Sequence, residues 1–161
     1  MQTVFTIALP THLVKFCEKT FFDDIPEKES KPYRVTERDL LGKHILLLLI
    51  DKRCTPYTNL QDFRDKITIE LSHTLAKRGP SLLKLNRLYI FIDEMFRHTM
   101  LTFVKAQIMA GENRYQALRR FFAMYGIDDE SLFTTSYTFI SRKTNVYYKA
   151  KVKERYEKGL S

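Results

Sequence analysis

Residues 81–110, SLLKLNRLYIFIDEMFRHTMLTFVKAQIMA, decide the fold of this chain. Apolar side chains recur there at the spacing of a helix, with Ser81 positioned as a cap and Gly111 as a stop. At 1.5 Å per residue such a helix approaches ~40 Å. Other apolar side chains stand on its remaining faces, so we predict a central helix that neighbouring elements cover on most sides. The recurring positions are Leu85, Leu88, Tyr89, Ile92, Met95, Phe96, Met100 and Phe103.

Three segments that precede this helix have the pattern of β-strands. Residues 4–9 (VFTIAL) alternate between apolar and polar side chains, which is the period of a half-buried strand. Residues 33–36 (YRVT) are strand-like, and residues 66–79 restore the strand period. In the last segment we expect Ile67, Ile69 and Leu71 to point inward, and Lys66, Thr68 and Glu70 to point outward.

Helices are predicted to follow the first two strands. Thr11 is positioned to cap a helix over residues 11–22, and Thr36 to cap a buried helix over residues 37–50. Gly42 inside the second helix costs about 1 kcal/mol relative to alanine, so we expect a packing reason for it. Polar segments without an apolar period are predicted to be loops, namely residues 23–31 and 51–65.

The N-terminal half contains an internal echo. FTIALPTHLVKF at 5–16 and ITIELSHTLAKR at 67–78 share one order of strand, leucine, polar pair and helix start. We interpret the echo as two similar strand-to-helix corners on one small sheet. The pattern also resembles the opening of ribbon-helix-helix repressors, whose paired strands enter the major groove. The outward Thr6 and Ala8 offer no cation to read a base edge, so the first interpretation is preferred.

Two further helices follow the central one. Residues 113–126 form a predicted helix that Gly126 closes. Asp128 or Asp129 can cap the next helix, whose acidic first turn suits the positive end of a helix dipole. The pair makes a helix-turn-helix-like corner. The predicted inward residues are Tyr115, Leu118, Phe122 and Tyr125 in the first helix, and Leu132 or Phe133, Tyr137, Ile140 and Thr144 in the second.

This corner departs from the familiar DNA-binding pattern. That pattern places a glycine about four residues after a small residue of the first helix, whereas here Gly126 follows Ala123 by three. The second helix also begins with acids, which suit phosphates poorly. A corner used for packing and a corner used for reading DNA therefore both stay open.

Positive charge collects late in the sequence. From Ser141 to Lys158 seven Lys or Arg stand against Glu154 and Glu157, a local +5 of the formal net charge of +8. Such cations can contact phosphates, and the interleaved tyrosines can stack on unpaired bases. The other interpretation is a solvated helix whose tyrosines dock on the core. The predicted nucleic-acid contacts are Arg142, Lys143, Lys149, Lys151, Lys153 and Arg155, with Arg119 and Arg120 as auxiliaries.

The sequence carries no recognisable catalytic, cofactor or metal motif. GxSxG, HExxH and glycine-rich phosphate loops are missing, and the cysteines and histidines form no ligand spacing. Glu94 and His98 stand four apart on the central helix, as metal ligands can, but no third ligand is offered and ion pairing at that spacing is the preferred interpretation. Cys17 lies on an apolar stripe, where a buried thiol is expected. We therefore predict no enzymatic activity, cofactor or metal.

Length and composition limit the class of protein to which this chain can belong. A chain of 161 residues with 44% hydrophobic residues predicts one domain over 1–161, with a strand–helix half at 1–80 and a helical half at 81–161. Its longest strongly apolar run, residues 44–50, is far below the ~20 residues that span a bilayer. The first residues lack the features of a signal peptide. We predict a cytoplasmic protein without a membrane partner.

The order of these segments resembles that of small proteins from phages and mobile elements of gut Bacteroidetes. The likeness covers most of the chain, from FTIALPTHLVKF through DLLGKHILLLL to RYQALRRFFAMYGI and the basic, tyrosine-rich end. Such proteins are often suspected of binding DNA. The resemblance implies a regulatory or replication-associated role.

The predicted fold is α+β and mostly α. It has a small sheet of about three strands in the N-terminal half, a long central helix, and a helical C-terminal part with the helix-turn-helix-like corner. The predicted function is non-catalytic binding of nucleic acid, with DNA favoured. One alternative is a protein-interaction or structural module that uses the basic segment on an acidic partner, and another is an enzyme of unrecognised type.

Overall fold

The computed structural model describes residues 4–22, 32–50, 60–77 and 82–159. The fold is α+β and mostly helical, with a small mixed sheet of three strands in the N-terminal half and a long helix in the middle of the sequence, as predicted. Contacts divide the chain into two compact units, with the boundary between Glu94 and Met95. The single domain and its halves at residue 80 stay predictions.

The sheet of the first unit has the strand that comes last in the sequence at its centre. The strands are β1 (Val4–Leu9), β2 (Tyr33–Val35) and β3 (Asp65–Leu71), in the order β1-β3-β2. β1 runs antiparallel to β3, with Thr6 opposite Thr68 and their hydroxyl oxygens 3.0 Å apart. β2 runs parallel to β3. All three strands were predicted, β1 and β3 from their period-2 pattern.

One face of this sheet is buried. Helix α1 (Thr11–Phe21) packs against β3. The inward positions predicted for β3 are confirmed, since each has at most 2% of its surface exposed. The buried side chains of the sheet and of α1 are Ile7, Leu9, Val35, Ile67, Ile69, Leu71, Leu13, Phe16 and Cys17.

The two echoed corners lie on this one sheet. β1 continues into α1, and β3 continues into the short helix α3 (His73–Ala76). Thr11 was wrongly predicted as a cap, because Pro10 occupies the extended cap position and its carbonyl accepts from the N–H groups of Leu13 and Val14. The Thr11 hydroxyl instead donates to the carboxylate of Asp65 at the start of β3.

Helix α2 (Leu40–Ile50) begins later than predicted, and the Thr36 hydroxyl accepts from the Arg38 N–H at 3.3 Å in the turn before it instead of capping its first residue. The Asp39 carboxylate accepts hydrogen bonds from the Thr36 N–H at 2.7 Å and from its hydroxyl at 3.0 Å. These bonds hold a turn over residues 36–39. The first helical carbonyl is consequently that of Asp39, which accepts from the Lys43 N–H.

The packing reason expected for Gly42 is present. A Cβ atom on Gly42 would lie 1.7 Å from the carbonyl oxygen of Thr36 and 2.6 Å from its carbonyl carbon. Since both atoms belong to the backbone, a side chain would force the turn between β2 and α2 to move.

Gly42→Ala should therefore lower the free energy of unfolding by about 1–3 kcal/mol, the usual cost of overpacking. Helix propensity alone predicts a gain of about 1 kcal/mol, so the sign separates the two effects. Urea unfolding checks it, with Lys43→Ala at the neighbouring exposed position as control. A stabilised Gly42→Ala variant would contradict the close approach.

The long helix is α4 (Leu82–Met109), and the boundary between the units falls within it. Its buried apolar side chains recur every four residues, and other apolar side chains around it are partly covered, as the all-round apolar pattern predicted. The buried ones are Leu88, Ile92, Phe96, Met100, Val104 and Ile108. Gly111 follows with a φ of 97°, which confirms the predicted stop.

Several predictions fall on parts of the chain that the structure does not describe. They concern the loop at 23–31, residues 51–59 of the second loop, and Ser81 as a cap. In the rest of the second loop, Leu60–Asp62 form a 3₁₀ turn.

Candidate nucleic-acid interface

The corner of the second unit is formed by two helices joined by a tight turn. Helix α5 (Arg114–Met124) begins after Asn113, whose side-chain oxygen accepts from the N–H of Tyr115 at 2.7 Å. It ends at Gly126, which has a φ of 64°. The Gly126 N–H donates to Ala123 and the Ile127 N–H to Phe122, the pattern of a Schellman motif. The glycine thus closes α5 as predicted.

The core of the corner is aromatic. Phe121 and Leu118 are fully buried, and the Phe122 ring meets the Phe133 ring edge-to-face with centroids 5.4 Å apart. The inward prediction was wrong for Tyr115, which is 42% exposed and whose hydroxyl binds an arginine instead. It missed Phe121, because α5 buries two adjacent stripes rather than one.

Helix α6 (Glu130–Glu157) runs through both the acidic and the basic parts of the C-terminal sequence. Asp129 caps it, since its carboxylate accepts from the Leu132 N–H at 2.9 Å. The stretch holds neither glycine nor proline, so nothing interrupts the helix. The predicted inward residues Phe133, Ile140 and Thr144 are buried.

Arg119 joins the two helices. Its guanidinium donates to both carboxylate oxygens of Glu130, at 2.5 and 2.9 Å, and twice to the Tyr115 hydroxyl, at 3.1 and 3.0 Å. It also lies 3.8 Å from the centroid of the Phe133 ring. An arginine has five N–H donors, and four are used here. The bidentate binding of a phosphate would therefore break the pair with Glu130.

Arg120 contacts an acid as well. Its Nη2 lies 2.7 Å from Glu112 Oε1, and its Nη1 donates to the Gln107 side chain at 3.4 Å. The Arg120 side chain is 61% exposed. Both predicted auxiliaries are thus engaged within the second unit.

The Arg119–Glu130 pair gives this unit a pH dependence. Hydrogen bonds from Arg119 hold the pKa of the Glu130 carboxyl below its usual range. A lowered folded pKa contributes stability above the unfolded pKa of about 4.3, and this contribution is lost as the pH falls further. We expect the difference in the free energy of unfolding between wild type and Glu130→Gln to be largest at neutral pH and to shrink below about pH 4.

Urea unfolding at neutral and acidic pH measures this difference. Asp128→Asn is the control, because it removes a neighbouring exposed carboxylate. A Glu130→Gln difference that stays constant with pH would show that the pair contributes nothing to stability.

The remaining predicted contacts lie on α6. Arg142, Lys143 and Lys149 are exposed, and within the described part of the chain none of the three forms an ion pair. The Lys153 ammonium lies 3.8 Å from the Glu157 carboxylate, with both side chains more than 60% exposed. Exposed pairs of this kind are worth less than about 1 kcal/mol, so Lys153 remains free to exchange partners. The side chains of Lys151 and Arg155 lie outside the described residues.

The described side chains of this helix are exposed beyond Thr144. Thr144 is fully buried, whereas every described side chain from Asn145 to Glu157 is exposed, Val146 by 77%. Arg142, Lys149 and Lys153 are seven and four residues apart, a spacing that places them on one side of α6. We call these residues, with Asn145 and Val146 between them, the outer stripe. The second unit has twelve Lys or Arg against six Asp or Glu, a formal net charge of +6.

Among the described residues, those considered for metal binding form no cluster of ligands. Cys17 is buried, and this burial, with a smaller effect from the charge of Glu18, raises the pKa of its thiol to about 12. A neutral thiol is a poor nucleophile at pH 7. Among the described residues no three His, Cys, Asp or Glu side chains are close enough to hold a metal ion. Cys54 lies outside those residues.

Within the described ranges, no helix combines the length and the apolar character needed to cross a membrane. No protein-family model, no curated protein and no solved structure matches the chain.

Proposed function

We propose that this protein binds nucleic acid, with DNA favoured, and does so without catalysing a reaction on it. The observation that carries the proposal is the outer stripe of α6, where Arg142, Lys149 and Lys153 stand exposed on one helix face. The phosphate backbones of nucleic acids bind Lys and Arg by releasing counterions. The proposal includes a cytoplasmic location for the protein.

The charge distribution supports binding by α6 in particular. Arg119 and Arg120 are already bound to acids, so they add little free positive potential. Beyond Thr144 the helix carries exposed cations for about 20 Å at 1.5 Å per residue. The exposed cations of this helix can contact a nucleic acid without displacing a buried side chain.

The alternative is that the same helix binds an acidic protein. The exposure of Val146 among the cations favours this second function, because an apolar contact in a charged surround is typical of protein interfaces. The two proposals differ in their dependence on salt and on the phosphate backbone.

The test is the binding of labelled duplex and single-stranded oligonucleotides by Lys149→Glu/Lys153→Glu and by wild type, at about 50 and 200 mM salt. The matched control is Lys66→Glu/Lys77→Glu, which makes the same charge change at exposed sites of the first unit. We expect the α6 variant to lose binding at least tenfold and the control to stay near wild type. Equal losses, or no binding by wild type, would overturn the proposal.

A further inference from the structure

Two of the acids that open α6 are occupied within the protein. The Asp129 carboxylate caps the helix, and the Glu130 carboxylate is held by Arg119. The objection that an acidic helix start repels phosphates therefore applies mainly to Asp128. The exposed face of α6 can then be considered along its whole length.

The exposed face changes character along the helix. Thr135 and Thr138, on the side that continues the outer stripe, donate their hydroxyl protons to the carbonyls of Ser131 and Thr134. Arg142 and Asn145 follow, exposed and without a hydrogen bond to another described residue. A basic segment with Lys149 and Lys153 comes last. Polar groups with free donors thus lie at the middle of the face, and cations lie towards its end.

These residue types match the edges of base pairs. Arginine binds the O6 and N7 atoms of guanine with two hydrogen bonds, and asparagine binds the N6 and N7 atoms of adenine in the same way. An exposed apolar group such as Val146 can contact the methyl group of thymine. All three side chains lie within four positions of one another, which is about 6 Å along the helix. That length corresponds to about two base pairs.

The same exposed face of α6 also indicates which form of nucleic acid it binds. Arginine, asparagine and an apolar group on one exposed helix face match base-pair edges, which a helix reaches in the groove of a duplex. The major groove of a duplex is about 12 Å wide and admits an α-helix. The residue types of this face therefore fit the major groove of a duplex.

Resting on the proposed function, we propose that α6 enters the major groove of duplex DNA, where Arg142, Asn145 and Val146 read bases and Lys149 and Lys153 contact phosphates. Lys153 lies about 17 Å along the helix from Arg142, far enough to reach the backbone at the border of the groove. This arrangement makes binding selective for sequence as well as for charge.

The experiment selects duplexes from a random-sequence pool with the full chain, then measures affinity for the enriched duplex and for a scrambled one. Wild type should enrich a short sequence. Arg142→Ala and Asn145→Ala should each weaken binding to the enriched duplex about tenfold, and binding to the scrambled duplex less than threefold. Lys149→Ala is the matched control, because loss of a phosphate contact should weaken both duplexes equally.

A second variant, Arg142→Lys, keeps the charge but lacks the planar fork of donors. It should lose selectivity while it binds the scrambled duplex as wild type does. Salt-dependent binding without an enriched sequence would overturn the groove-reading inference and leave nucleic-acid binding intact, and so would a preference for single strands or RNA. Failure of every oligonucleotide to bind would overturn both.

Discussion

Changing Lys143, Lys149 and Lys153 together to glutamine should remove about three contacts with phosphates. The affinity for a duplex should then depend less steeply on salt. Each contact contributes about −0.9 to the slope of log affinity against log salt, so the slope should become shallower by about 2.7. Between about 50 and 200 mM salt, wild type should then lose roughly fortyfold more affinity than the variant. The reason is that these ammonium groups are exposed on α6 and can displace counterions from the duplex.

The matched control is Lys43→Gln/Lys66→Gln/Lys77→Gln, three exposed lysines of the first unit. It produces the same net charge, so a general effect of charge would lower the slope equally in both variants. A slope that is unchanged in the α6 variant would remove these lysines from the interface.

Phe121→Ala should lower the free energy of unfolding of the second unit by about 3–5 kcal/mol. The ring is fully buried, and its centroid lies 4.8 Å from that of Tyr125, 5.7 Å from that of Phe103 and 5.8 Å from that of Phe96. Truncation leaves a cavity among rings that cannot collapse fully into it. Because these contacts attach α5 to α4, the corner that carries α6 should loosen first.

Urea unfolding followed by circular dichroism measures the loss. Gln116→Ala serves as control, since this side chain is exposed on the same helix and should change stability by less than about 0.5 kcal/mol. A loss below about 1 kcal/mol for Phe121→Ala would be incompatible with a ring packed on several neighbours.

Local patterns sufficed for much of the fold. The alternation of apolar residues located β1 and the inward face of β3, and the all-round apolar pattern of residues 81–110 predicted α4. Gly111 and Gly126 were recognised as helix ends because a positive φ is accessible mainly to glycine. Gly42 was expected to have a packing reason, although its neighbour Thr36 could not be named. Each of these inferences depends only on residues that are close together in the sequence.

Contacts between distant residues were harder to predict. Threonine is a common residue at helix N-termini, yet the Thr11 hydroxyl binds Asp65, which lies 54 positions away. Arg119 looked like a free cation because its partner, Glu130, comes close only after the turn has folded. Single-helix periodicity also missed Phe121, because α5 is covered on two stripes. The exposed cations of the outer stripe were accessible to sequence reasoning because charges on one helix need no distant partner, whereas its members Asn145 and Val146 were not singled out.

Lysine labelling in the presence of DNA tests the central claim most directly. The protein is treated with an amine-acylating reagent, with and without a saturating duplex, and modification is read residue by residue by mass spectrometry. We predict that labelling of Lys143, Lys149 and Lys153 slows when the duplex is present, while Lys66 and Lys77 label at the same rate and act as internal references. Equal labelling of the α6 lysines with and without duplex would contradict the claim that this helix is the binding surface.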